Sequence, residues 1–550
     1  MYSLKHYPYI FVLIRKYLKI TMEIQTIDRR TVSYFGNLSN QITYHQQNLS
    51  KYLQADLSLD NFGKQIELKR KAYPLENRQV LYEVLTAQLS PYFTYEKVRQ
   101  NVELLKEENT FTITAGHQLN LFGGPLYTLY KIFDAIKLAE LLKEQYPHEN
   151  FVPVFWMATE DHDFEEVNHI HLFGDKLSWE TEQKGPVGRF SLEGIQDFKS
   201  SVLEKFQNNQ DFYEYLNRFY KEGDLSSATT EFLMDLVGDY GIVILDADQK
   251  ELKSLFSPYI KKELETQFSE KEIAKTTASL EADDFHGQAF ARPINLFYIQ
   301  DQLRERIIPL NDNEFEIHGE KWTKEKLITE LENHPERFSP NVVFRPLYQE
   351  TILPNLCYLG GGGEMAYWLQ LKGMFEQTEV PFPLLKVRNS IQWIDRITSK
   401  RIQKLDLKYT DIFSPIDEVK KQFVFDNAEE ELDFTDLDKA ESQLLEVLEN
   451  SIVAVDSGLS GYAKSETIKI EKQLTQIRQR LIRQQKKKHE DAMGQIDGIY
   501  EKMFPENGLQ ERYDNVIPFI AKFGTKEYVQ QIYNAISPLQ GDLILVIEGE

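Results

Sequence analysis

Phe111-Thr-Ile-Thr-Ala-Gly-His117-Gln118 runs on through Leu-Asn-Leu-Phe-Gly123-Gly124-Pro125 into Leu-Tyr-Thr-Leu-Tyr-Lys131. The first part reads as a strand. The glycines permit a tight turn, and a proline in the first turn of a helix costs no hydrogen bond. Tyr127 to Gln145 then carries Ile132, Ile136 and Leu138 on one periodic face, which predicts an amphipathic crossover helix. Phe151-Val-Pro-Val-Phe-Trp-Met-Ala-Thr-Glu160-Asp161-His162-Asp163 supplies a second strand with a polar end. Strand, helix and strand make a βαβ unit and an α/β fold. Both polar clusters follow the carboxyl end of a strand, where open α/β sheets bind ligands. A small-molecule enzyme is expected.

Outward from this unit, the texture is uneven. Residues 22–108 are polar and Gln- and Leu-rich, and read as mainly helical. Strands are expected at Phe111 to Thr114, Val152 to Met157, Gly241 to Leu245, Asn295 to Ile299, Val342 to Phe344 and Pro383 to Val387. The third ends in Asp246-Ala-Asp248, again acidic. Residues 175–235, with the turn-rich Lys184-Gly-Pro-Val-Gly188-Arg189, read as an insertion. The core unit is set at 22–395, a helical domain at 396–504, and a C-terminal segment at 505–550 that docks back on the core. Within the helical domain, segments at about 428–455 and 464–503 flank a turn at Asp456 to Gly461. Leu437, Leu444, Leu448 and Val455 keep a 7-4-7 rhythm, and Ile470, Leu474, Ile477 and Leu481 a 4-3-4 seam. That predicts an antiparallel coiled-coil hairpin. Residues 1–21 read as a translated leader before Met22, with a short membrane-surface helix as the alternative.

Composition narrows the class. With 41% hydrophobic and 12% aromatic residues among 550, a large core can form and global disorder is excluded. The net charge of −23 argues against a nucleic-acid binder, which would show a basic field. The one basic run, Arg478, Arg480, Arg483 and Lys486 to Lys488, reads as a solvated helix face. Cys357 is the sole cysteine. Intramolecular disulfides and cysteine zinc clusters are therefore impossible, a reducing cytoplasm fits, and Cys357 itself reads as a small core residue.

Three clusters carry the candidate chemistry. Gly116, His117 and Gln118, with Gly123 and Gly124 at a helix start, suit an anion such as phosphate. Glu160 to Asp163 packs four titratable groups in a row. If the strand continued, Glu160 and His162 would share one face, and Asp161 and Asp163 the other. Acid–base work or amine recognition is the favoured reading. Helix capping with ion pairing, and a metal site, are the alternatives. Leu359-Gly360-Gly361-Gly362-Gly363-Glu364-Met-Ala-Tyr367-Trp368 offers a glycine surface for a base or sugar, with Glu364 placed to bind ribose hydroxyls or an amine. Arg345 is a candidate carboxylate partner, an ion pair with Glu350 being the competitor. Arg189, and Lys386 with Arg388, read as structural first.

At these residues the sequence resembles the bacillithiol biosynthesis cysteine-adding enzyme family, the cysteine ligases. The resemblance rests on Gly116 to Lys131, Pro153 to His169, Arg345 to Glu350 and Gly363 to Lys372, and runs from about Met22 to the C-terminus. It implies a Rossmann-like nucleotidyltransferase core similar to class I aminoacyl-tRNA synthetases, with connecting-peptide insertions and a C-terminal coiled coil that forms a homodimer. It implies ligation of cysteine to the amine of glucosaminyl-malate, with ATP or another nucleotide and Mg²⁺ activating the carboxyl. His117, Asp161, His162 and Asp163 would be catalytic. Gly116, Gln118, Gly123, Gly124 and Gly361 to Glu364 would hold the nucleotide. Arg189, Arg345, Tyr367 and Trp368 would meet substrate. The synthetases' second histidine has no counterpart beside His117, and their Lys-Met-Ser-Lys-Ser signature is not recognisable. Two other functions stay open: a nucleotidyltransferase for another acid–amine pair, and a non-catalytic coiled-coil scaffold.

Overall fold

The computed structural model describes residues 21–427 and 434–549; the expected leader lies outside them apart from Thr21. Five strands form the central sheet: β1 (Thr110–His117), β2 (Asn150–Met157), β3 (Val243–Asp246), β4 (Asn355–Gly360) and β5 (Leu384–Val387). Their spatial order is β5-β4-β1-β2-β3, with every pair parallel. The chain enters at the centre, builds outward to β3, then returns to the other flank with β4. The reversal falls between β1 and β4, and a crevice opens at such a switch point. Side chains of β1 and β4 are buried on both faces, as an all-parallel sheet requires.

Helix α1 (Tyr127–Gln145) is the crossover from β1 to β2. Its Leu138 and Leu142 pack with Phe111, Ile113, Cys357 and Leu359. Cys357 is a core residue, and burial pushes its thiol up. Helix α2 (Lys250–Thr266) follows β3, α3 (Arg345–Ile352) precedes β4, and α4 (Gly362–Gln370) leaves it.

Two strand expectations are corrected. Val342 to Phe344 is a turn, because the Asn341 carboxamide oxygen accepts the Val343 and Phe344 amides and directs the chain into α3. Asn295 to Ile299 is a strand, Leu296–Gln300, but it belongs to a separate antiparallel sheet with Leu303–Arg306 and Phe338–Pro340. The fourth central strand, β4, is the one the sequence reading passed over.

Beyond Arg396 the described chain is helical until near its end. Helices α5 (Thr435–Val455) and α6 (Ser460–Lys488) form the antiparallel hairpin, and Glu490–Met503 is a separate helix. Asp456 accepts the Gly458 amide and makes the turn. Residues 428–433 of the expected first segment lie outside the described residues. Ile470, Leu474, Leu437 and Leu448 are half-buried, whereas Ile477, Leu481, Leu444 and Val455 face solvent. Arg478 of the basic run pairs with Asp438 and Glu441. At the C-terminus, Leu543–Glu548 lies between Met22–Ile27, antiparallel, and Ser390–Ile394, parallel. Both ends of the described chain thus meet in one sheet.

Candidate active site

A cleft of about 810 Å³ opens over the carboxyl ends of β1, β2 and β4. His117, the last residue of β1, is half-buried. Its Nε2 lies 3.2 Å from the hydroxyl of Tyr127, the first residue of α1. Burial first, then the Lys131 charge, lowers its pKa to about 3, so the ring is neutral at physiological pH. Lys131 reaches from α1 into the switch point, donating to the Gly116 carbonyl at 2.8 Å and to Glu364 at 2.6 Å. Burial pulls the ammonium down and Glu364 partly restores it. Glu364 also accepts from the Tyr358 hydroxyl at 2.9 Å and the Gly361 amide at 2.7 Å. Burial would raise this carboxyl, but Lys131 outweighs it and holds the group at about 2. Glu364 is thus a saturated carboxylate that fixes the glycine turn.

After Met157 the strand stops, so the alternation expected for Glu160 to Asp163 does not apply. Glu160, Asp161 and His162 all line the cleft; Asp163 is exposed and lies outside it. Glu160 pairs with buried Lys253 of α2 at 2.6 Å, and Lys253 also pairs with Asp248 at 2.7 Å. Asp161 accepts from Gln118 Nε2 at 2.9 Å and the His162 amide at 2.8 Å. Burial would raise its pKa, but hydrogen bonds from His162 and Gln118, with the Arg304 charge, hold it well below the usual carboxylate range. Arg304 donates to His162 Nδ1 at 2.7 Å. A guanidinium can only donate, so this bond leaves the His162 proton on Nε2.

The remaining candidates divide. Gly116, Gln118, Gly361, Gly363, Glu364, Arg345 and Tyr367 line the cleft. Arg345 donates to Gln349 at 2.9 Å and lies over Trp156 and Tyr358. Glu350 is instead taken by Lys69 at 3.1 Å. The structure does not bring Gly123 and Gly124 to the cleft: both have positive φ, and the start of α1 is covered by the C-terminal segment. There Asn515 donates to the Gly124 carbonyl and the Leu126 amide bonds the Asp514 carbonyl. Arg189 is locked on Asp248 at 2.7 and 3.0 Å and lies outside the cleft. Trp368 is core, stacked on Tyr358 at 4.5 Å. Gly362 faces Ser39 rather than the cleft. Lys386 pairs with Asp134 and Arg388 with Glu511, both buried, as a structural role requires.

Sequence reasoning missed Lys131 and Arg304. Lys131 stands four residues after Tyr127, so the two share a face of α1; that spacing was a usable signal. Arg304 comes from a hairpin some 140 residues from its partner His162, and no local pattern marks it. Among the described residues, no group of three or more His, Cys, Asp and Glu could hold a metal, and no helix is long and apolar enough to cross a membrane.

Comparison with known proteins matches two family models. "Bacillithiol biosynthesis BshC, N-terminal Rossmann-like domain" covers residues 22–389, and "Bacillithiol biosynthesis BshC, C-terminal coiled-coil domain" covers 391–548. A relative from Flavobacterium johnsoniae, named "Putative cysteine ligase BshC", is 39% identical over 94% of this chain and 98% of its own length. A relative of the same name from Christiangramia forsetii is 37% identical over 96% of this chain and 100% of its own. One from Bacillus cereus is 29% identical over 83% and 89%.

Proposed function

We propose, for a chain that belongs to the bacillithiol biosynthesis BshC family, that it is a cytoplasmic ligase joining the carboxyl of cysteine to the amine of glucosaminyl-malate. The observation that carries this reading is the convergence of three distant sequence clusters, around His117, Asp161 and Glu364, on one cleft at the β1/β4 switch point.

Amide formation from a free carboxylate is uphill in water, so the cysteine carboxyl requires activation by a nucleotide, as an adenylate or an acyl phosphate. The amine nitrogen then attacks the carbonyl carbon. The C–N bond forms, the C–O bond to phosphorus breaks, and the amine proton is lost to a base. His117, neutral at physiological pH, is a hydrogen-bond partner for the activating phosphate, assisted by Gln118 and the backbone at Gly363. Asp161 stays ionised at physiological pH, which suits it to orient the amine rather than to deprotonate it. Arg304 fixes the His162 ring through Nδ1, and Asp161 holds its backbone amide. Arg345, paired with no carboxylate among the described residues, suits a malate carboxylate, and Arg306 also lines the cleft. Mg²⁺ would arrive on the nucleotide's phosphates.

A homodimer through the hairpin belongs to the same reading. It is supported by the solvent-facing apolar residues Leu444, Val455, Ile477 and Leu481, which are 51%, 84%, 51% and 45% exposed.

The test is mass spectrometry of the full-length protein with cysteine, glucosaminyl-malate, Mg²⁺ and ATP. Bacillithiol with AMP or ADP is the expected outcome, and the nucleotide formed identifies the activation route. A folded protein that yields neither product nor nucleotide turnover overturns the reading.

A further inference from the structure

Arg304 and His162 make a contact whose polarity is forced. The guanidinium Nη1 lies 2.7 Å from His162 Nδ1, whereas the nearer Asp161 carboxylate oxygen is 3.6 Å from the same nitrogen. Arginine keeps all its protons and has no acceptor, so Nδ1 receives this bond through its lone pair. The proton of the ring is therefore on Nε2, which makes no hydrogen bond among the described residues. The clamp is rigid on the arginine's side. The Arg304 side chain is only 7% exposed, its guanidinium carbon lies 3.9 Å from the Phe297 ring centroid, and Nη2 reaches Ser339 Oγ and the Pro340 carbonyl at 3.5 and 3.4 Å. Phe297 also flanks the imidazole, with centroids 5.5 Å apart. The imidazole itself is 48% exposed and lines the cleft, so it is held through Nδ1 and accessible to substrate.

This bond excludes proton acceptance at both nitrogens. Nε2 already carries a proton, and the Nδ1 lone pair is taken by a guanidinium. The ring is left as a neutral N–H donor, which polarises a carbonyl without giving up its proton. Amide formation calls for such a group. As the amine nitrogen adds to the carbonyl carbon, the carbonyl oxygen gains negative charge, and it loses that charge when the C–O bond to phosphorus breaks. A donor fixed in advance stabilises the charge with no reorganisation at the moment of reaction. Other donors of the cleft are committed: Lys131 to Gly116 and Glu364, Gln118 to Asp161 and Glu166, and Arg388 to Glu511. Arg306 also lines the cleft, but it is a long exposed arm that must be ordered first.

We propose that the Nε2–H of His162 is the hydrogen-bond donor to the carbonyl oxygen of the activated acyl group as it becomes an oxyanion, and that Arg304 is the positioning residue that sets the tautomer. This role rests on the ligase reading and adds to it the group that meets the developing charge. No proton leaves His162: the amine proton goes to a separate base, and the departing phosphate oxygen takes the C–O electron pair.

The experiment is steady-state kinetics of full-length His162→Ala, His162→Gln, Arg304→Met and Arg304→Lys proteins with cysteine, glucosaminyl-malate, Mg²⁺ and ATP. It is accompanied by ¹H–¹⁵N NMR of the ring-labelled histidines, in which H162Q identifies the His162 signals by their absence. H162A is expected to lower kcat about a hundredfold or more, the scale of one lost oxyanion donor, with KM for both substrates near wild type. H162Q, whose carboxamide donates but takes no proton, keeps about tenfold more of the rate than H162A, a part of that same donor's effect. R304K still donates to Nδ1 and keeps the Nε2–H tautomer; R304M shows both tautomers and a lower kcat with KM unchanged. Circular dichroism checks folding, and the pair of variants at the accessible His162 decides the matter if R304M does not fold. Full rate in H162A, equal loss in H162A and H162Q, or a wild-type ring with its proton on Nδ1 overturns the role. A wild-type protein that makes no product overturns the ligase reading and this role with it, whereas those variant results beside an active wild type overturn this role alone.

Discussion

His117 shows how far one residue's role is set by its surroundings. In water its imidazole would titrate near physiological pH; half-buried at the end of β1, beside Lys131, it stays neutral down to about pH 3. The expected consequence is that His117→Ala loses product formation by two orders of magnitude or so, the scale of a lost charge-stabilising donor. His117→Asn keeps part of the rate, with a pH–rate profile parallel to wild type between pH 5 and 8. A full-rate H117A protein would remove His117 from the mechanism. Glu364 gives a stability prediction. Its carboxyl sits at about 2 against an ordinary 4.5. The stabilisation this represents is present above about pH 4.5 and is lost as pH falls towards 2. Glu364→Gln should therefore cost on the order of 1–3 kcal/mol at pH 7, and its difference from wild type in urea midpoint should close between pH 4.5 and 2. At this scale His117, Asp161 and Glu364 were legible as chemistry-bearing types next to strand ends. Their charge states were not, because those depend on Lys131, Arg304 and burial, which no local pattern reports.

Elements were legible where one face governs. The strand–turn–helix from Phe111 to Gln145 was found in place, the helix at its expected bounds and the strand running three residues past the expected Thr114 to His117, because its periodicity and punctuation are local. Gly124 belongs to that punctuation: its φ of 66° and ψ of −154° fall where side-chain-bearing residues are strained. An added Cβ would also stand 2.5 Å from the Asn120 Cβ. Gly124→Ala should lower stability by about 1–3 kcal/mol, read as a fall in Tm, without adding or removing a group in the cleft. β4 escaped notice because Leu-Cys-Tyr-Leu, buried on both faces, has no alternation to see. The hairpin illustrates the opposite ambiguity. A heptad pattern states that two apolar stripes exist, not which one faces the partner helix. Ile477 and Leu444 point outward, so the double variant L444E/I477E should convert a dimer to a monomer by light scattering while leaving helical content unchanged. A wild-type protein that is already monomeric would remove the dimer reading.

At the scale of the whole molecule, the chain is closed by its ends. Leu543–Glu548 is the middle strand of the sheet that joins Met22–Ile27 to Ser390–Ile394, and the segment just before it covers the start of α1 through Asp514 and Asn515. Truncation after residue 541 should therefore fail to give a protease-resistant protein, although no cleft residue is removed. Soluble, resistant protein of that length would show the closure to be dispensable. The α/β class, the crossover helix, the helical hairpin, the family likeness and the three clusters were determined by the sequence itself, since each rests on local periodicity or on residues adjacent in the chain. The tertiary structure alone decided that β4 lies beside β1, so that Glu364 meets Lys131 and His117; that Arg304 reaches His162; and that Arg189, Gly123, Gly124, Asp163 and Trp368 stand away from the cleft. The physical reason is the same in each case: strand order, burial and charge pairing join residues hundreds of positions apart, and the free energy of those contacts is a property of the packed molecule rather than of any segment of it.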